Sequence, residues 1–153
     1  MLVRELMSRH VTTIAPSTSC LDAVTKMHRM RIRHLPVVSQ DGVLVGVVTD
    51  RDLRRHLFSP DVFREVGGAK SVDALLQGVP VAQIMSTPVI TIGASDDVAD
   101  AVRVMLEKRT GSLPVVQTGR VVGILTDTDI LRHIVRADAN CSVECSDVIM
   151  SLR

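Results

Sequence analysis

Tryptophan and tyrosine are missing from this chain, and only two phenylalanines occur among its 153 residues. A core must therefore be built of Val, Leu, Ile and Met. The stacking platform that single-stranded nucleic acid requires is also missing. Charge of one sign is lacking too: 18 Lys and Arg stand against 17 Asp and Glu, so no strong field draws the chain to nucleic acid or an acidic membrane. No apolar run reaches the roughly 18 residues of a bilayer span. The opening MLVRELMSRH has no apolar stretch of the secretory kind. Cys20, Cys141 and Cys145 are an odd number without a framework spacing. The expectation is a reduced, cytoplasmic protein with neither nucleic acid nor membrane as partner.

What is present is a repeat. Residues 3–57 laid against 81–134, with Asp41 skipped, share 24 identities in 54 aligned positions, which chance does not explain. ELMSRHVTTI answers QIMSTPVITI, LPVV occurs verbatim at Leu35–Val38 and Leu113–Val116, and GVVTDRDLRRHL answers GILTDTDILRHI.

Each copy reads as one string of elements. A short helix over Val3–Met7 (Val81–Met85) leads into an extended segment, Val11–Ile14 (Val89–Ile92). An amphipathic helix follows, with Leu21, Ala23, Val24 and Met27 on one face of the first copy and Val98, Ala101, Val102 and Met105 in the second. Ser19 with Asp22, and Asp97 with Asp100, signal its start. Two β-rich runs come next, turning at Gln40-Asp41-Gly42 and at Thr118-Gly119. A last helix begins at Asp50 or Asp127. A unit of about 55 residues is marginal alone. The expected fold is α+β (mixed α/β): two β-α-β-β-α repeats packed as one pseudo-twofold globule.

The expected organisation is repeat 1 at 1–57, a linker at 58–80, repeat 2 at 81–137 and a tail at 138–153. The linker holds both phenylalanines and has two short helical patterns, around Val62–Val66 and Val72–Leu76, separated by Gly67-Gly68. In the tail, SDVIMS resembles RELMS and AQIMS, as if a third copy began.

Thr49 with Asp52, and Thr126 with Asp129, have capping-box spacing, and the plain reading is that they cap their helices. The same geometry has a second use. A strand running into a helix N-terminus presents backbone N–H groups and the positive dipole end to an anion. A threonine hydroxyl there can bond a phosphate. A carboxylate suits the paired hydroxyls of a ribose.

The tandem β-α-β-β-α pattern, the LPVV strands and the two glycine-aliphatic-aliphatic-Thr-x-x-Asp ends resemble a cystathionine-β-synthase (CBS) domain pair, also called a Bateman module. The resemblance covers the chain except the linker and tail. It implies a regulatory sensor of AMP, ADP, ATP or S-adenosylmethionine, with a cleft on either side of the packed repeats. By position it assigns ribose to Asp52 and Asp129, and phosphate to Thr49 and Thr126. Arg33 and His34, just before the LPVV strand, and Arg51 would add phosphate contacts to the Asp52 cleft. Adenine would lie on Val89, Ile90 and Leu113 in that cleft, and on Val11, Thr12 and Leu35 in the other. Gly111, Ser112 and Thr128 hold the matched positions of Arg33, His34 and Arg51 without charge. ADP or ATP is therefore expected in the Asp52 cleft, and AMP, adenosine or S-adenosylmethionine in the Asp129 cleft. Family members commonly pair through their helices, so a homodimer is expected, with a regulated protein as a further partner.

His56 and His133 are expected on the exposed or dimer-facing side of the last helices, and His10 and His28 on the surface. Cys141-x3-Cys145 with His133 upstream is too loose for zinc. No metal or catalytic cofactor is expected. Nor does any nucleophile elbow, Walker loop or paired-carboxylate pattern ask for catalysis. The competing readings are a structural or dimerisation module whose Thr/Asp pairs only cap helices, and a small enzyme or metal protein using the His and Cys residues.

Overall fold

The computed structural model describes residues 1–59 and 71–137. The first copy comprises α1 (Val3–Leu6), α2 (Cys20–Met30), β1 (His34–Val38), β2 (Leu44–Thr49) and α3 (Asp50–Leu57). After α4 (Val72–Gly78) and a 3-10 turn at Val81–Gln83, the second comprises β3 (Ile92–Gly93), α5 (Val98–Lys108), β4 (Ser112–Gln117), β5 (Arg120–Thr126) and α6 (Asp127–Ala137). Of the two helices expected in the linker, α4 is present. The pattern at Val62–Val66, like the SDVIMS tail with Cys141 and Cys145, lies outside the described residues.

Local chemistry accounts for most boundaries. Ser19 caps α2, accepting from the Asp22 N–H at 3.0 Å and donating to its carboxylate at 2.8 Å. At the matched position Asp97 accepts instead from the Ala99 N–H at 2.8 Å. Unlike serine, it has no proton to donate to Asp100, and two carboxylates repel. The Thr118–Gly119 turn has φ of 49° and 76°, the left-handed values that suit a two-residue hairpin. Only the ends of the expected extended segments pair. Ile14 bridges Val37 in parallel, and β3 runs parallel to Val115 and Val116. Val11 and Thr12, and Val89 and Ile90, are left to border cavities.

The packing units are not the sequence repeats. Val3 is fully buried in a core with Ile92, Val98, Met105, Leu113 and Leu125, all from the second copy. Val81 is fully buried with Ile14, Met27, Leu35 and Val48 of the first, where Leu76 from α4 joins it. Each copy thus lends its opening segment to the other. Full burial of a valine side chain contributes about 1.5–3 kcal/mol, so the exchange ties the halves together. Backbone bridges reinforce it: Ser8 pairs with Ile124 and Ser86 with Val47. These pairings press Met85 onto Gly46 and Met7 onto Gly123, where a Cβ would collide with the methionine side chain. The two glycines are required by this close approach between elements of different copies.

No helix among the described residues is long and apolar enough to cross a membrane.

Candidate functional site

β2 runs directly into α3, and β5 into α6. At both junctions the threonine is the cap. The Thr49 hydroxyl accepts from the Asp52 N–H at 3.2 Å and donates to Asp52 Oδ2 at 2.7 Å, and the same oxygen takes the Thr49 N–H at 2.9 Å. Thr126 and Asp129 repeat these bonds at 3.2, 2.7 and 2.9 Å. The capping role is therefore real at both sites. It leaves each carboxylate with Oδ1 unbonded among the described residues. It also commits the hydroxyl proton, so either threonine must turn from its aspartate before it can donate to a phosphate.

Above each junction is a cleft with walls from both copies. The first, about 350 Å³, has Thr49 and Asp52 on one side and Pro88, Val89 and Ile90 on the other. The second, about 380 Å³, has Thr126 and Asp129 facing His10, Val11 and Thr12. Both volumes lie in the range of small-molecule sites. Leu35 and Leu113 line neither cleft. Both are fully buried within β1 and β4, and the residues just before them form the wall instead: Thr110, Gly111 and Ser112 in the first cleft, and Ile32, Arg33 and His34 in the second.

Arg31 and Arg109 escaped the sequence reading. They end α2 and α5 in the left-handed conformation, at φ 54° and 52°, which non-glycine residues seldom adopt. Each borders the cleft of the other copy: Arg109 the first, Arg31 the second. Their identity at matched repeat positions was the available signal.

The charges are unequal. The first cleft has Arg33, Arg51, Arg54, Arg55, Lys108 and Arg109 against Asp50, Asp52 and Asp127. The second has Arg31, Arg33 and Arg132 against Asp127 and Asp129. The helix starts differ as well. The Arg51 N–H has no hydrogen-bond partner among the described residues. The matched Thr128 N–H is taken by Asp127 Oδ1 at 2.6 Å, and its hydroxyl donates to the same atom at 3.1 Å.

Arg33 and His34 were expected in the first cleft alone. The structure places them on the walls of both, with Asp127. The Arg33 guanidinium lies 3.7 Å from Asp127 Oδ1, whereas the matched Asp50 bonds Arg54 of its own helix at 2.7 Å. Burial, and then the positive charge of Arg33, hold the His34 imidazole below its ordinary pKa, opposed by Asp127, Asp50 and Asp52. Among the described residues no group of three or more His, Cys, Asp or Glu is placed to hold a metal ion.

Two copies that exchange opening segments and enclose two clefts at matched positions define a tandem-repeat module. The family model for the CBS domain matches residues 3–59 and 81–136. A CBS domain-containing protein of Dictyostelium discoideum is 34% identical over 136 residues, spanning 88% of this chain and 92% of that protein. An uncharacterised protein of Methanocaldococcus jannaschii is also 34% identical, over 142 residues, and this chain spans only 34% of its length. The CBS domain pair of protein MJ0100, solved in complex with 5′-methylthioadenosine and S-adenosyl-L-methionine, superposes with a TM-score of 0.75 at 26% identity, covering 90% of this chain and 98% of that one. CBSX2 in complex with AMP gives 0.72 at 27% identity with the same coverage. The chain belongs to the CBS domain family, and its fold is that of a CBS domain pair.

Proposed function

We propose that this chain is a regulatory adenine-nucleotide sensor without catalysis of its own. It takes AMP, ADP, ATP or S-adenosylmethionine in the two clefts and passes occupancy on as a change in how its repeats sit or what they bind. The observation that carries this reading is the doubled construction. In each cleft an aspartate at a helix N-terminus, with one carboxylate oxygen open, faces an apolar segment from the other copy. Asp52 and Asp129 would accept from ribose hydroxyls. Val89 and Ile90, or Val11 and Thr12, would flank the base. Arg33, His34, Arg51 and the N–H of Arg51 favour ADP or ATP in the first cleft. The adenosine-containing ligands of the MJ0100 and CBSX2 structures support the ligand class.

A ligand shifts the arrangement only if it binds two arrangements with different affinity. The expected homodimer gives it a second surface to act on. Leu131, Ile134 and Val135 of α6 are 61%, 49% and 71% exposed, an apolar strip suited to such pairing. A regulated protein partner and a cytoplasmic setting complete the proposal.

Calorimetry with the four ligands tests it. At least one should bind, and Asp52→Ala or Asp129→Ala should weaken that binding tenfold or more while the variant stays folded by circular dichroism. Absence of binding by all four to the folded protein would leave only the capping role for the Thr/Asp pairs.

A further inference from the structure

We propose that the two clefts are coupled through a shared partition of Arg33, His34 and Asp127, so that a polyphosphate in the first cleft weakens binding of any phosphate-bearing ligand in the second. This rests on the reading of the clefts as nucleotide sites.

Among the described residues, these three are the only ones common to both walls. They are held there from the backbone. The Arg33 carbonyl accepts the Asp50 N–H at 3.1 Å, and His34 stands opposite Thr49 in the β1–β2 ladder. Asp127 is fixed by its N–H to the Gly111 carbonyl at 3.0 Å and by the two bonds its Oδ1 takes from Thr128. At the positions matching Arg33 and His34 the second copy has Gly111 and Ser112, so the molecule offers one such basic pair for two clefts.

That shortage produces the coupling. Arg33 stands as the ion-pair partner of Asp127 at 3.7 Å. A phosphate group in the first cleft competes for the Arg33 guanidinium. Asp127 is then left as an uncompensated carboxylate on the wall of the second cleft, where it repels an incoming phosphate. The second cleft keeps only Arg31 and Arg132, against Asp127 and Asp129. The first cleft has five further cations of its own, which raise its affinity for polyphosphate but not its share of the coupling. Coupling in binding free energy is mutual, so a nucleotide in the second cleft weakens polyphosphate in the first by the same factor.

The test is calorimetric titration of ATP into four proteins. Asp129→Ala gives the affinity of the first cleft alone, and Asp52→Ala that of the second alone. Wild type should then bind two ATP, the second at least about fivefold more weakly than the isolated second cleft does. Asp127→Asn retains an oxygen for the Thr128 bonds but removes the charge, and should bring that ratio below about twofold. Two independent sites in wild type would overturn the coupling while leaving the nucleotide reading in place. So would a ratio that Asp127→Asn leaves unchanged, or a second cleft that takes no ATP even in Asp52→Ala. No ATP binding to any of the four would remove this coupling, and failure of AMP, ADP and S-adenosylmethionine as well would remove the nucleotide reading itself.

Discussion

His34 stands half-buried between two clefts, beside Arg33 and within the field of Asp127, Asp50 and Asp52. Burial and Arg33 disfavour its charged form more than the three carboxylates favour it, so folding lowers its pKa. In the unfolded chain the imidazole returns to its ordinary value near 6.5. As pH falls through that value the unfolded state takes up the proton first. The stabilisation is therefore complete above about pH 6.5 and is lost as pH drops through the lower folded value. His34→Ser, which installs the residue of the matched position Ser112, should flatten the fall of the melting temperature between pH 7 and pH 5. Thermal denaturation at a series of pH values reads this. An unchanged slope would mean that other groups carry the acid sensitivity. Repeat alignment alone located His34 and its uncharged counterpart. That its side chain serves two clefts was not legible, because the sequence does not say which walls meet behind a strand.

Among the elements, α1 and the 3-10 turn at Val81–Gln83 are the most displaced from where the sequence puts them. Periodicity identifies an apolar face but not the core that receives it. Val3 and Val81 look equivalent in sequence, and they remain equivalent in the structure, each in the opposite copy. The two strand glycines lie where the copies crowd each other, Met7 over Gly123 and Met85 over Gly46. Gly123→Ala should cost about 1–3 kcal/mol in urea denaturation, as overpacking does. Met7→Ala removes the colliding side chain. In the double variant the two costs should therefore sum to less than their separate values, a non-additivity expected of residues in contact. Strict additivity would mean that the methionine yields without strain. By contrast α2, α3, α5 and the two hairpins were legible in outline, since caps, turn residues and alternation are local signals.

The whole molecule is held together by that exchange, which sets what can fold alone. A fragment of residues 1–59 lacks Leu76 and Val81, both buried in the first core, and it keeps α1 with no second copy to receive Val3. It should show no cooperative melting. A fragment of residues 9–86 contains every residue of the first core and should melt cooperatively, though at lower temperature than the full chain. Circular dichroism against temperature compares them. Cooperative folding of 1–59 would show that the repeat suffices without the exchanged segment. The clefts depend on the same arrangement, since each has a helix start from one copy and an apolar segment from the other.

The sequence by itself determined the doubled β-α-β-β-α plan, the two capped helix starts and the unequal charge at matched positions. All of these are set by residues close together in the chain or by comparison of one copy with the other. Tertiary structure decided which copy receives each opening segment, that Leu35 and Leu113 stand behind the clefts, and that Arg33, His34 and Asp127 are held in common. The reason is physical: pseudo-twofold packing brings the end of one copy against the start of the other. The bridges across that axis join Val47 to Ser86 and Ser8 to Ile124, far apart in the chain and beyond the reach of any local pattern.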